Sequence, residues 1–116
     1  MENLETYKRP WGTYKVIYHE PSFKLKRIEV NPGHRLSYQY HKKRSEVWTI
    51  VKGSGEIIID GNKRLVKYGD CVIIHQNSKH RIANNSDTPL VFIEVQTGSY
   101  FGEDDIVRIE DDYKRI

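Results

Sequence analysis

Isoleucine and valine together occupy 22 positions of this 116-residue chain, whereas alanine, leucine and methionine, the strongest helix formers, occupy only 7. β-branched side chains suit the pleated, half-buried surface of a sheet, and too few good helix formers remain to build a helical core. The apolar residues fall in short runs at 13–18, 23–30, 36–41, 46–51, 56–59, 63–66, 71–74, 80–83 and 90–96, separated by Gly, Pro and Asn. Asp60-Gly61-Asn62 is the strongest hairpin signal among the breaks. Runs recurring about every 8–12 residues, with no helical pattern between them, predict an antiparallel sandwich or barrel. The in-out alternation slips near Lys26-Arg27, which predicts a bulge or kink there. Segment 102–113 is acidic and reads as a helix or a tail.

Length and charge remove several classes of function. At 13.7 kDa the chain is one domain, residues 1–116, with its core expected at about 20–98 and both ends packing on it. A net charge of +3 is too small for nucleic-acid binding driven by charge, so no nucleic-acid partner is expected. Cys71 is the single cysteine, which leaves no intrachain disulfide; lying in an apolar run, it reads as a small core residue. No stretch approaches the roughly 20 apolar residues of a membrane helix, and residues 1–9 are polar, so neither a membrane nor a secretion signal is expected. The expected location is the cytoplasm.

Four side chains point to a metal. Gln39 and His41 are two apart on an expected strand, which puts them on one face about 7 Å apart along the backbone. Glu46 opens the next run, and His80 opens a later one. Two imidazoles, a carboxylate and an amide oxygen form a mixed N/O set without thiolate, suited to one divalent transition metal (Zn, Mn, Co, Ni or Fe) with positions left open for water or substrate. Isolated histidines on strands are usually structural; here the surrounding glycines change the reading. Gly33, Gln39-Tyr40-His41, Glu46 and Gly53 resemble the first cupin motif, with Gln in place of its first histidine. Gly69, His80 and Asn84 resemble the second, although His75 and Asn77 replace its usual Pro and Gly.

The resemblance extends further. Arg9-Pro10-Trp11-Gly12-Thr13-Tyr14 is similar to the opening of the type II mannose-6-phosphate isomerase cupin domain, and Ile93-Glu94-Val95-Gln96-Thr97-Gly98 with Gly102–Arg108 to its C-terminal signature. Arg35-Leu36-Ser37, Arg44 and Trp48 belong to the block between them. Lys42-Lys43, Val47 and Lys114 depart from the family's usual His-His, His and Gly. The resemblance implies an all-β, single-domain cupin (a double-stranded β-helix or jelly-roll barrel) that interconverts mannose 6-phosphate and fructose 6-phosphate with a bound metal. This domain is often fused behind a GDP-mannose pyrophosphorylase domain, and without a Gly-rich phosphate loop nucleotidyl transfer is not expected here.

Such an isomerase needs guanidinium groups for the substrate's phosphate and a proton carrier near the reacting carbons. Arg108 is the first choice for an active-site arginine that orients substrate; Arg35, Arg44 and Arg115 are the expected substrate-binding cations, with surface pairing to the acidic segment as the competing role. His34, His75 and Glu94 are the candidate acid/base groups. A homodimer is expected because exposed sheet edges invite pairing. The competing functions are a non-catalytic sugar- or sugar-phosphate-binding cupin and an iron-dependent, oxygen-using one.

Overall fold

The structure is a computed structural model that describes residues 4–115. The strands are β1 (Thr6–Arg9), β2 (Gly12–Glu20), β3 (Phe23–Val30), β4 (Tyr38–Tyr40), β5 (Arg44–Lys52), β6 (Ser54–Ile59), β7 (Asn62–Lys67), β8 (Cys71–Ile74), β9 (His80–Ala83), β10 (Leu90–Gly98) and β11 (Val107–Glu110). They form two antiparallel sheets, of order β1-β2-β3-β10-β5-β8 and β11-β4-β9-β6-β7. The expected all-β architecture is therefore present, and among the described residues no helix is long and apolar enough to cross a membrane.

Turn chemistry fixes the local geometry. Asp60 and Gly61 both have positive φ, 48° and 83°, as the two-residue loop of a type I′ hairpin requires. At Gly12 any side chain would collide with the Glu29 carbonyl, because β2 and β3 approach closely there.

Four expectations change. Residues 6–9 form a strand that their polar, exposed side chains concealed. The acidic segment is neither helix nor plain tail: β11 lies in it and pairs with β4. The irregularity anticipated at Lys26-Arg27 falls on the partner strand instead, where the register with β3 shifts between Val16 and Tyr18. Cys71 is also not a core residue. Strand alternation buries Val72 and Ile74 and turns Cys71 and Ile73 outward, so the thiol is exposed.

The inward-facing residues of the six-stranded sheet change character along its strands. Val30 and Ile28 give way to Lys26 on β3, Leu90 and Phe92 to Glu94 and Gln96 on β10, and Ile50 and Trp48 to Glu46 and Arg44 on β5. The pairing aligns them, Ile28 and Ile50 both facing Phe92, and Lys26 and Trp48 both facing Glu94. One end of the sandwich is thus an apolar core, completed from the other sheet by Ile57, Val66 and Ile82. The other end is lined with buried charge.

Asn84, fully buried just after β9, ties the apolar end together. Its Nδ2 donates to the Val30 carbonyl (2.9 Å) and the Thr88 carbonyl (2.8 Å), and its Oδ1 accepts from Ser86 N and Oγ at 3.0 and 2.7 Å. Asn84→Ala removes both donors from a fully buried site and leaves the Val30 and Thr88 carbonyls without these bonds, and should lower unfolding free energy by about 2–4 kcal/mol, read as a reduced urea midpoint. An unchanged midpoint would show that these bonds contribute nothing.

Candidate metal centre

The polar end opens into a cavity of about 110 Å³, lined among others by Gln39, His41, Glu46, His80 and Glu94. A single water needs only about 10–15 Å³, so several small groups fit.

Pairing and turns bring the donors there. Gln39 on β4 sits opposite His80 on β9. His41 follows β4 directly, and the short turn into β5 returns the chain so that Glu46 points inward. Glu46 Oε2 lies 3.4 Å from His41 Nε2, and Glu46 Oε1 lies 3.9 Å from His80 Nε2. One donor atom from each of the three residues falls within 4.8 Å of the others. Donors sharing a cation at about 2.1 Å bond lengths sit roughly 3–4 Å apart, so the spacing fits after a small contraction.

The tautomers also suit a metal. His41 Nδ1 lies 2.5 Å from the Asp105 carbonyl, and His80 Nδ1 lies 2.9 Å from the Ser78 carbonyl. A carbonyl only accepts, so each Nδ1 carries the hydrogen and each Nε2 presents its lone pair to the cavity, as metal-ligating histidines commonly do. Gln39 gives its amide nitrogen to Ser37 Oγ at 2.9 Å, leaving the amide oxygen as its remaining donor atom. The residues present therefore fit a divalent ion. A cation is already close, since Arg44 Nε donates to Glu46 Oε2 at 2.8 Å and Arg44 Nη2 lies 3.3 Å from His41 Nε2.

Burial and the Arg44 charge push the His41 pKa down to about 4, and burial lowers that of His80 as well. Burial and the neighbouring Glu46 carboxylate push Glu94 up to about 8. The signs give a test on chelator-treated protein. Below about pH 6.5 the unfolded histidines take protons that the folded ones resist, so stability falls with acid, by up to about 3 kcal/mol for His41 as pH approaches 4. Glu94 acts oppositely, because the folded state keeps a proton that the unfolded chain has lost, and stability falls as pH rises toward 8. The urea midpoint should therefore peak near about pH 6.5 and decline on both sides. A flat profile from pH 4 to 8 would contradict both assignments.

The arginines separate. Arg44 is buried at the start of β5 and lines the cavity; Arg108 on β11, opposite Gln39, lines it too. Arg115 reaches the lining while held by Asp111 through Nε at 2.7 Å and Nη2 at 3.0 Å. Arg35 does not come to the cavity. It is bound at its Nε and Nη2 by Asp112, at 2.7 and 2.8 Å, with both side chains about two-fifths exposed, so the surface-pairing role applies to it. Of the acid/base candidates, His34 binds the Tyr113 hydroxyl (2.7 Å) outside the lining, His75 is exposed, and only Glu94 lines the cavity.

Sequence reasoning missed Lys26, Glu103 and Arg9 in this lining. Lys26 is buried, bonded to Glu103 at 2.7 Å, with its Nζ 4.4 Å from the centre of the Tyr14 ring. Its position in step with Ile28 and Val30 on β3 was the available signal.

Comparison with known proteins follows the same lines. A family model described as mannose-6-phosphate isomerase C-terminal matches residues 1–111. The alginate biosynthesis protein AlgA of Pseudomonas aeruginosa is 45% identical over 113 residues, covering 97% of this chain and 23% of that protein. The mannose-1-phosphate guanylyltransferase of Klebsiella pneumoniae is 40% identical over 107 residues, 92% of this chain and 23% of the relative. The chain thus spans about a quarter of the length of these curated relatives. Among solved structures, an uncharacterized conserved protein with a double-stranded β-helix domain from Klebsiella pneumoniae superposes with a TM-score of 0.74 at 20% identity, over 96% of this chain and 90% of that one. That likeness shows the fold.

Proposed function

Since the chain belongs to the mannose-6-phosphate isomerase C-terminal family, a family of cupin domains, we propose that it is a metal-dependent isomerase interconverting mannose 6-phosphate and fructose 6-phosphate. The observation that carries the reading is the cavity in which donor atoms of His41, Glu46 and His80 lie within 4.8 Å of one another, with the buried Glu94 carboxyl in the same lining. The name of one relative, mannose-1-phosphate guanylyltransferase, favours a phosphorylated mannose as substrate.

His41, Glu46, His80 and the Gln39 amide oxygen would hold a divalent ion, which when bound would supply Lewis-acid stabilisation for negative charge developing on the substrate oxygens. Moving hydrogen between C1 and C2 also requires a group that can hold and return a proton. Glu94 has that capacity, because its pKa of about 8 lies close to a neutral working pH. Arg44 binds Glu46, orienting that carboxylate, and its buried Nη1, 3.8 Å from Glu103 Oε2, makes no hydrogen bond among the described residues and is available to a substrate oxygen.

The test is a coupled assay on the chain alone, with mannose 6-phosphate and added Mn, Co or Zn. Turnover that requires the metal supports the isomerase. Absence of turnover with every metal overturns it, and thermal stabilisation by the sugar phosphate in that case would identify a non-catalytic sugar-phosphate binder.

A further inference from the structure

The cavity deepens from exposed and half-buried residues to buried ones, and its outer part carries three arginines and one carboxylate, Glu103, which is taken up by Lys26 at 2.7 Å. Arg9 from β1, Arg108 from β11 and Arg115 beyond β11 line it and are each half-buried, whereas His41, Glu46 and His80 are buried. The three guanidiniums thus stand at the mouth and the metal ligands at the floor. Resting on the isomerase reading above, we infer that Arg9, Arg108 and Arg115 form a seat for the phosphate dianion of the substrate, which fixes the sugar with its reacting end toward the metal ligands.

The argument begins with hydrogen-bond capacity. Arg35, Arg81 and Arg115 each meet a carboxylate within 3.0 Å. Arg108 has no such partner among the described residues, and its Nε is buried without any acceptor. A buried guanidinium N–H lacking an acceptor is costly, and the cost falls when a ligand supplies the oxygen. Arg9 and Arg115 are close enough to disfavour the charge on Arg108, whose pKa burial and these two neighbours lower, against the opposing pull of Asp111 and Glu103. Like charges gathered at one opening are relieved by an anion.

The neighbours orient these side chains without exhausting them. Asp111 holds Arg115 by Nε and Nη2 and leaves Nη1. Arg9 gives Nη2 to the Tyr14 hydroxyl at 3.2 Å and Nη1 to the Lys8 carbonyl at 2.9 Å, and stacks over the Tyr14 ring at 5.0 Å. Three planar donors from three chain segments match a tetrahedral dianion with several acceptor oxygens better than a single carboxylate, which one guanidinium satisfies.

Side-chain NMR of arginine Nε–H groups in the full chain, titrated with inorganic phosphate and with mannose 6-phosphate, tests the seat. Both should shift the Arg9 and Arg108 signals saturably, while mannose and mannuronate should not. Arg9→Gln and Arg108→Gln should each weaken binding about tenfold or more, with metal content unchanged. Arg9→Lys should recover only part of the loss, because the charge remains and the fork does not. Arg35→Gln, outside the cavity, should have no effect. Equal phosphate affinity in wild type, Arg9→Gln and Arg108→Gln overturns the seat. Turnover with an unchanged KM in both variants also overturns the seat while leaving the isomerase reading intact. Phosphate binding at these arginines without any turnover does the reverse.

Discussion

His80→Ala should abolish retention of a divalent metal while leaving a folded β protein. The imidazole offers its Nε2 beside Glu46 and His41, and no neighbouring His, Cys, Asp or Glu among the described residues replaces it in the donor group. Losing one of the ligands should weaken affinity by at least about 100-fold, more than the 10–100-fold typical when only an outer partner of a ligand is removed. The fold should survive, because the lost contacts are one bond to the Ser78 carbonyl, an edge-on contact with Trp48 at 5.7 Å, and the proximity to Glu46 and His41 inside the metal site itself, none of which pairs backbone strands. Elemental analysis after dialysis reads the metal, and far-ultraviolet dichroism reads the strands. Trp48 offers a second readout, since its indole N–H donates to Glu46 Oε1 at 3.0 Å and its emission should respond when a metal draws on that carboxylate. Unchanged metal content in the variant would show that the ligand set is wrong.

Glu94→Gln carries the second large effect. The substitution keeps the shape and the neighbour Gln96, whose Nε2 lies 3.4 Å from Glu94 Oε1, but removes the exchangeable proton. Turnover should fall by about 10²–10⁴-fold, the usual contribution of a positioned acid or base. Metal content should be retained, and the alkaline decline in stability should flatten because the titrating group is gone. If turnover persists, Glu94 is not the proton carrier.

Much of this centre was legible in the sequence because its residues obey strand periodicity. Gln39 and His41 share a face by a spacing of two, and the glycines around Glu46 and His80 mark where strands turn. Cys71 misled because an apolar run hides which of its members face inward; only pairing with β5 decides that Val72 and Ile74 do. The β1 strand left no hydrophobic trace, since its side chains lie largely exposed and it is held by backbone pairing with β2. The acidic segment was opaque for a different reason. Its carboxylates find partners far away in the chain: Glu103 with Lys26, Asp105 with the backbone N–H groups of Lys42 and Lys43, Glu110 with Arg81, and Asp112 with Arg35. No local rule announces those pairs, and the same reach explains why Arg35, taken up by Asp112, ended at the surface.

The graded interior of the six-stranded sheet has a consequence for how the chain avoids misfolding. Alternation forbids a slip of one residue, because that would turn each inward side chain out, but it does nothing against a slip of two. Were β10 displaced by two residues, Glu94 would arrive at the level now held by Phe92, between Ile28 and Ile50. A carboxylate stranded among aliphatic neighbours is a penalty that no other pairing there relieves. The groups that equip the molecule for chemistry therefore also act as its alignment marks, and replacing them all with apolar residues would leave the strands free to settle in the wrong step.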